Sequence, residues 1–318
     1  MANPAYPMCI IADVTSSSSP DPHDLLVLLS VARTGRFTTA GSTLGLNHTT
    51  VARRIAALER DLGGRVLSRT IGGWELTELG GRALLAAEGV EAALGLLDAG
   101  GPGSRLSGVV RMSATDGFSA FIAAPAIARL QRTHPLLRVE LITATRRALQ
   151  HRSGLDIEVV VGTPSAHRAE TIPLGHYTLG MFATRAYLDL HGEPRSLEEL
   201  MTHPLVYFID SMLQVDDLDA PRRLVPGMRD SLSSTNVFVH VEATRAGAGI
   251  GFLPCFMAER HDDLLRLLPE LIEERLPYWM VVRPDSLAQP AVAAVVEALR
   301  EQTTSMSAAL LGGASATA

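Results

Sequence analysis

The sequence predicts an α/β protein that carries a small helical module ahead of its main domain. Up to about residue 98, apolar residues recur at helical spacing, whereas residues 106–302 alternate short apolar runs with helical stretches. The glycine-rich segment GGPGSR, residues 100–105, separates the two parts and is typical of a flexible hinge. The chain has 318 residues, 47% of them hydrophobic, and this length favours two or three domains.

Composition narrows the class of protein. No run of eighteen apolar residues occurs, and no positive charge precedes an apolar segment near the N-terminus. The sequence therefore supports neither a membrane span nor a secretory signal, and we expect a cytoplasmic protein with no membrane partner. Residues 1–21 include a serine run without periodicity, so we expect a disordered tail there, and a flexible tail at 303–318.

Two short helices joined by a tight turn are the first recognisable unit. A first helix from Pro22 to Arg33, stopped by Gly35, is predicted to brace them. In the next helix Thr38 is the expected N-cap, and Gly45 permits a left-handed turn after it. The predicted buried side of this helix consists of Phe37, Ala40, Gly41 and Leu44.

The helix from about Thr49 to Leu62 has two different faces. One is a stripe of helical spacing formed by Val51, Ile55, Leu58 and Leu62. Asn47 is a good N-cap, and the remaining free amides of the first turn would suit a phosphate. The other face lacks bulky apolar groups and so can approach DNA closely; it carries Thr49, Thr50, Arg53, Arg54 and Ala57. An ordinary helical hairpin is the alternative to a helix-turn-helix.

Charge separates these alternatives. Although the whole chain has a formal net charge of -6, the region from Asp24 to Thr70 is positive. Its acidic residues are Asp24, Glu59 and Asp61. Its basic residues are Arg33, Arg36, Arg53, Arg54, Arg60, Arg65 and Arg69. An acidic protein that concentrates arginine in one module is expected to use that module on a polyanion.

A hairpin and a long helix are predicted next. Short strands begin at Val66 and Trp74, with Gly72 and Gly73 at the turn between them. Arg69 on this wing would reach a phosphate or the minor groove, or else remain a solvated charge. Thr77 then caps a helix to about Asp98. The apolar stripe of this helix, predicted to lie outside any compact core, consists of Leu79, Ala83, Leu84, Ala87, Val90, Leu94 and Leu97. The same helix of a second subunit is the most economical partner.

Four sequence stretches carry a resemblance to a known family. They are FTTAGSTLGL, NHTTVARRIAALE, LGGRVLSRT and LTELG. In this order they are similar to the N-terminal winged helix-turn-helix and linker helix of LysR-type transcriptional regulators. Two residues depart from the family pattern, which commonly has glutamine at the position of His48 and serine at that of Ala52. His48 would donate to a phosphate or a base, or only extend the capping turn.

The resemblance implies a division of the chain. A winged helix-turn-helix DNA-binding domain would occupy residues 22–76, a linker and dimerisation helix 77–99 and a hinge 100–105. An effector-binding domain, like periplasmic solute-binding proteins, would follow at 106–302. Its first α/β subdomain would comprise about 106–162 and 268–302, and its second about 163–267. Crossing strands would join the two.

The alternation in this second part predicts a mostly parallel sheet. Predicted strands are Val109–Ser113, Arg138–Ile142, Ile157–Val161, Leu179–Ala183, Leu205–Phe208, Ile250–Leu253 and Tyr278–Val282. Predicted helices are Phe118–Arg132, Arg185–Leu190, Asn236–Ala246 and Ala291–Glu301. Ligands in open α/β sheets bind beyond the carboxyl ends of the strands, where helices begin. Residues at these positions are the predicted lining of an effector pocket: Ser113, Thr115, Asp116, Phe118, Thr145, Arg146, Thr163, Phe208, Asp210, Thr235 and Asn236. For any one of them, helix capping or loop chemistry is the alternative.

Catalytic and metal motifs are missing from the sequence. The run GAGIG at 247–251 follows a helix and precedes a strand, the reverse of the order that a dinucleotide site requires. No GxSxG, HExxH or CxxC occurs, and the histidines lack ligand spacing. We expect no enzyme activity, metal or cofactor. Cys9 and Cys255 imply no disulfide, and Cys255 is interpreted as a buried thiol, with redox sensing as the alternative.

The resulting prediction is a transcriptional regulator that binds double-stranded DNA and senses a small-molecule effector. The residues assigned to DNA contact are Thr38, Asn47, His48, Thr49, Thr50, Arg53, Arg54 and Arg69, with Arg69 at the backbone or minor groove. The resemblance implies homodimers through the linker helix, paired into tetramers. The alternative is a small-molecule-binding protein or enzyme whose helical N-terminal domain does not bind DNA.

Overall fold

The computed structural model describes residues 19–70, 73–98, 105–143, 155–164, 169–209 and 223–312. The chain forms two compact units, Met1–Glu91 and Ala92–Ala318. In the N-terminal unit, the elements are α1 (Pro22–Thr34), α2 (Phe37–Leu44), α3 (His48–Asp61), β1 (Leu67–Thr70), β2 (Gly73–Leu76) and the start of α4 (Glu78–Asp98).

The N-terminal unit has its own apolar core. Leu28, Val51 and Leu58 from α1 and α3 are fully buried in it. The stripe predicted for α3 is therefore confirmed at Val51, Ile55 and Leu58. Such burial of a single helical face explains why α3 forms here and why its opposite face remains free.

The end of α2 follows the prediction, whereas its start does not. Gly45 ends α2 with a φ of 66°, in the left-handed region that favours glycine. Thr38 does not cap α2, because the helix already begins at Phe37 and its N-cap, Arg36, makes no side-chain hydrogen bond. Leu44 is exposed rather than buried, so the buried side of α2 is narrower than predicted.

Helix α4 differs from the predicted orphan helix. Ala83, Leu84 and Ala87 are buried in the core of the N-terminal unit, with Leu79 and Val90 packed against it. The first part of the apolar stripe thus has a partner within the same chain. Only further along the helix does the stripe emerge, at Leu94, which is 48% exposed.

The C-terminal unit contains the remaining strands and helices. Its strands are β3 (Ser107–Ala114), β4 (Leu136–Thr143), β5 (Ile157–Val161), β6 (Glu170–Thr184), β7 (Pro204–Phe208), β8 (Arg229–Ser234), β9 (Ile250–Pro254), β10 (Leu264–Leu267) and β11 (Glu274–Val282). Its helices are α5 (Asp116–Phe118), α6 (Ala124–Thr133), α7 (Arg185–His191), α8 (Leu197–Leu200), α9 (Val237–Arg245), α10 (Cys255–Ala258), α11 (Pro284–Leu287), α12 (Pro290–Ser305) and α13 (Ser307–Leu310). A π-helical turn, Ser119–Ala123, joins α5 to α6.

One mixed sheet runs through this unit. Its order is β4-β3-β5-β11-β6-β9-β7-β8, with β10 also paired to β6. Among the described strands, the pairs β3/β4, β3/β5, β7/β8 and β7/β9 are parallel, and the pairs of β6 and β11 with their neighbours are antiparallel. The prediction of a mostly parallel sheet is wrong, because β6 and β11 pair antiparallel with each other and with β5, β9 and β10. The first halves of β6 and β11 and the strands β8 and β10 were not predicted.

Strands β6 and β11 link the two halves of the sheet. β11 pairs with β5 on one side, and β6 pairs with β9 and β10 on the other. Their mutual register shifts at one point, where Tyr278 faces Gly175 and the next residue, Trp279, faces Pro173. Leu174 is the extra residue of this β-bulge, and Gly175 has a φ of 136°.

The end of the chain also departs from its prediction. Helix α12 continues to Ser305, where Thr303 is buried, and α13 places the buried Leu310 against the main core. Residues 303–312 are thus folded rather than a flexible tail; the rest of that predicted tail lies outside the described residues. The expected disordered tail, up to residue 18, and most of the hinge lie outside them too.

Candidate nucleic-acid interface and ligand pocket

The exposed face of α3 presents the predicted polar residues. His48, Thr49 and Arg53 are exposed, and Thr50 is half-buried. The first turn is fixed by Asn47, whose Oδ1 accepts hydrogen bonds from the backbone N–H of Thr50 and the hydroxyl of Thr49, both at 2.7 Å. Capping therefore occupies the Asn47 oxygen, while His48 and Arg53 remain available to an external ligand.

Arg54 has a different role from its neighbour. Its Nη1 lies 2.8 Å from Oδ1 of Asp24, a carboxylate buried in α1. This ion pair joins α1 to α3 on the inner side of the unit. Arg54 thus helps to hold the scaffold that presents Arg53, and its assignment to DNA contact stays a prediction.

The wing is fastened to both neighbouring helices. Oε1 of Glu59 in α3 accepts from the backbone N–H of Val66 at 2.9 Å, and the hydroxyl of Thr77 donates to the carbonyl of Arg65 at 2.6 Å. The ring of Trp74 in β2 stacks on Phe37, with centroids 4.8 Å apart. These contacts fix the hairpin against α2 and α3 and hold it in one place.

Two further predicted contacts lie on exposed surface of the same unit. Arg69 is exposed on β1, in register with Trp74 of β2. Thr38 is exposed on α2, and its backbone carbonyl accepts from the Ser42 hydroxyl. Both side chains therefore face solvent, as a DNA contact would require.

A pocket lies in the C-terminal unit where the two halves of the sheet meet. Thr115, Asp116 and Gly117 line it at the end of β3, and Phe208 lines it at the end of β7. The remaining lining residues come mainly from the strand interiors: Val161, Tyr177, Leu179, Val237, Phe252, Pro254 and Tyr278. The cavity volume is about 40 Å³, which admits the centres of about three water molecules.

Aromatic rings form much of the pocket wall. Tyr177 and Tyr278 stack with centroids 4.4 Å apart, and Phe118 packs edge-on against Tyr278 from behind. Burial raises the pKa of Tyr278, whose hydroxyl shares a hydrogen bond with Thr115. The phenol is therefore neutral at physiological pH. Phe208 is backed by the buried ring of His240, whose centroid lies 4.5 Å away.

Sequence profiles of two families match this chain. The profile described as "Bacterial regulatory helix-turn-helix protein, lysR family" matches residues 22–81, which contain α1 to the start of α4. The profile described as "LysR substrate binding domain" matches residues 103–304, more than half of the chain. The chain belongs to the LysR family of bacterial regulators. This family consists of regulators rather than enzymes.

Individual relatives agree with this assignment. The HTH-type transcriptional activator TtdR of Escherichia coli is 32% identical over 197 residues, which cover 59% of this chain and 61% of that relative. The match thus spans less than two thirds of TtdR. Two solved structures share the fold. A full-length OxyR variant from Pseudomonas aeruginosa has a TM-score of 0.69 at 16% identity, covering 88% of this chain and 94% of that one. LysG from Corynebacterium glutamicum with bound effector Arg has a TM-score of 0.62 at 21% identity, covering 90% and 98%.

The predicted effector residues of this LysR-family chain fall into different places. Thr115, Asp116 and Phe208 line the pocket. Ser113 and Phe118 are buried in the core instead. Outside the lining lie Thr163, Thr235 and Asn236, of which Asn236 caps α9 by accepting from the backbone N–H of Phe238. Thr145, Arg146 and Asp210 lie outside the described residues.

Half of the lining residues that sequence reasoning missed lie inside strands. Tyr177, Phe252 and Tyr278 belong to apolar runs that give no sign of a site in the sequence. Only the fold shows that these rings cluster at the centre of one sheet, as a pocket wall requires.

The described residues of this LysR-family chain were also compared with the requirements of a metal site, a membrane span and a reactive thiol. In that part, no three His, Cys, Asp or Glu side chains are grouped to hold a metal ion. None of the helices in the same residues has the length and apolarity needed to span a membrane. Burial raises the pKa of the Cys255 thiol to about 12, so it is protonated at neutral pH and a poor nucleophile.

Proposed function

We propose that this protein is a transcriptional regulator that binds double-stranded DNA through α3 and the wing. The observation that carries the proposal is the exposed set His48, Thr49 and Arg53 on a capped helix of a lysR-family helix-turn-helix. A helix with one buried stripe and a short polar face fits the width of the major groove. Double-stranded DNA is its proposed partner, which implies action in the cytoplasm.

Each exposed residue has a proposed task. Arg53 is suited to base-edge or phosphate contact because its guanidinium lies on the outer face and forms no ion pair within the described residues. His48 and Thr49 lie in the first turn, where backbone amides also favour a phosphate. Arg69, on a hairpin fastened to α2 and α3, would reach the DNA backbone or the minor groove.

The C-terminal unit is proposed to sense a small molecule in the pocket between its two halves. LysG, which shares the fold, was solved with arginine as its bound effector. A ligand that binds one arrangement of the two halves better than another shifts their populations, and a differential affinity of a few kcal/mol suffices. The DNA-binding units of an oligomer would report this shift as a change in binding or bending.

Dimerisation is proposed to use the later part of α4. Leu94 continues the apolar stripe beyond the core of the N-terminal unit and is 48% exposed. The same helix of a second chain would cover Leu94 in a symmetric dimer, the commonest kind of oligomer. Pairing of two dimers would give the tetramer that the family resemblance implies.

The test is a gel shift with the DNA upstream of the protein's own coding region. Arg53→Ala should weaken sequence-preferring binding by about 1–3 kcal/mol, or roughly 5- to 150-fold. Arg138→Ala, an exposed arginine on β4 of the C-terminal unit, is the matched control and should leave binding unchanged. Both variants should unfold at the same temperature as the native chain, because neither side chain is buried.

Two results would contradict the proposal. If the native chain shows no preference for any segment of that DNA at low salt, it is a ligand-binding protein with a helical N-terminal unit that does not read DNA. If Arg53→Ala unfolds the N-terminal unit, the exposed face of α3 has been assigned wrongly.

A further inference from the structure

One acidic residue, Asp116, stands out in the lining of the ligand pocket. Among the lining residues that the structure describes, Asp116 is the one with a carboxylate, and none is an arginine, lysine or histidine. Its carboxylate forms no hydrogen bond or ion pair to any residue that the structure describes, although the residue is half-buried. A partly desolvated carboxylate without a partner favours a cation and repels an anion.

The rest of the wall suits the other end of such a ligand. Tyr177, Phe252 and Tyr278 contribute rings, and Val161 and Val237 contribute aliphatic surface. The hydroxyl of Tyr278 is already hydrogen-bonded to Thr115 and its ring is stacked on Tyr177, so this residue contributes apolar surface rather than a free polar group. Aromatic faces attract an ammonium group as well as apolar carbon, so they add to the effect of the carboxylate.

These observations point to the chemical class of the effector. We propose that it is a small organic cation, a primary amine on a compact apolar body, whose ammonium group pairs with Asp116 while its carbon skeleton packs on the aromatic wall. The inference rests on the proposed function of the same pocket as the effector site.

The experiment compares probes that differ only in charge. The full chain, in phosphate buffer, is titrated with isobutylamine, isobutanol and isobutyrate, and with benzylamine, benzyl alcohol and benzoate, and its Tm is followed by calorimetry. Only the two amines should raise the Tm of the C-terminal unit, by about 3 °C at tenfold excess over Kd. The rise should shrink as the salt concentration increases, because the pair is partly solvated.

Substitution of Asp116 gives the decisive comparison. Asp116→Asn should weaken amine binding about tenfold or more and remove the preference over the alcohols. Asp116→Glu, which keeps the charge, should retain the preference for amines. Asp189→Asn, a surface carboxylate on α7 outside the pocket, is the matched control and should bind like the native chain.

The outcomes separate this inference from the proposed function. Stabilisation by the carboxylates, stabilisation by no amine at about 20 mM, or equal amine binding by native and Asp116→Asn chains overturns the cationic effector. A gel shift on the same samples tests DNA binding independently. If sequence-preferring DNA binding is absent while the amines bind through Asp116, the regulator proposal fails and the ligand class stands.

Discussion

Replacing Arg54 by alanine should destabilise the N-terminal unit, whereas replacing its neighbour Arg53 should not. The two guanidinium groups are adjacent in sequence but lie on different sides of α3. Arg53 is exposed, while Nη1 of Arg54 lies 2.8 Å from the carboxylate of Asp24. Removal of Arg54 leaves that carboxylate, whose side chain is 7% exposed, without its cation.

The magnitude follows from the burial of the two partners. Loss of one member of a fully buried pair costs about 3–5 kcal/mol, and loss of an exposed pair costs about 0–1 kcal/mol. Here the acid is buried, but the Arg54 side chain is 31% exposed. The Nε of Arg54 is buried without a hydrogen-bond partner, which lowers the net value of the native contact. We therefore expect about 2 kcal/mol, which would lower the Tm of this unit by roughly 8–16 °C.

Tryptophan fluorescence isolates the relevant transition. The chain has two tryptophans, and Trp74 stacks on Phe37 in the N-terminal unit. In a Trp279→Phe background, Trp74 alone reports unfolding of that unit in urea. Adding Asp24→Asn to Arg54→Ala should restore part of the stability, since it removes the stranded charge. Arg60→Ala, on the same helix, is the control and should change the free energy of unfolding by less than about 0.5 kcal/mol.

The reasoning would be refuted by a specific pattern. If Arg54→Ala unfolds at the native urea concentration but no longer binds the target DNA, the guanidinium contacts DNA and not the scaffold. The interpretation that Arg54 supports the scaffold while Arg53 is free for recognition would then be wrong.

Two other outcomes are expected. Leu94→Lys should weaken self-association at least about tenfold in analytical ultracentrifugation, because it places a charge on the exposed end of the α4 stripe. Leu85→Lys is the control and should leave self-association unchanged, since Leu85 is 57% exposed on the opposite side of the helix. The reverse result would assign the interface to that other face. Burial lowers the pKa of His240, so the unfolded chain binds the proton more readily. The stability that this histidine contributes is present above pH ~6.5 and is lost as the pH falls through the folded-state pKa. The free energy of unfolding, measured in urea at about pH 7.5 and about pH 5.5, should therefore fall less in His240→Gln than in the native chain; an equal fall would contradict this origin.

The N-terminal unit could be predicted well from sequence because its signals are local. The spacing of Val51, Ile55 and Leu58 reports one helical face, and Gly45 reports the turn. Arg54 could not be assigned in this way. Its position on the polar face predicted a DNA contact, and only the packing of α1 against α3 brings Asp24 within reach. Long-range ion pairs of this kind leave no periodic trace.

In the C-terminal unit too, contacts between residues far apart in the sequence could not be predicted from local patterns. Helix starts and strand ends predicted Thr115, Asp116 and Phe208, which do line the pocket. Tyr177 and Tyr278 were missed because they lie mid-strand, where the sequence reads as ordinary core. Their convergence depends on β6 and β11 being neighbours, although about a hundred residues separate them along the chain. The first half of β6, which contains Pro173 and Gly175, did not read as a strand for the same reason.

The β-bulge opposite Tyr278 lies in the two strands that join the halves of the sheet. Strands β6 and β11 continue from one half of the sheet into the other, so the two halves share a two-stranded ribbon. A rotation of the halves would change the twist of this ribbon, which is least regular at Leu174 and Gly175. Tyr278 pairs with Gly175 at that point and also forms part of the pocket wall. A ligand that displaced the Tyr278 ring would therefore act on the ribbon at its least regular point.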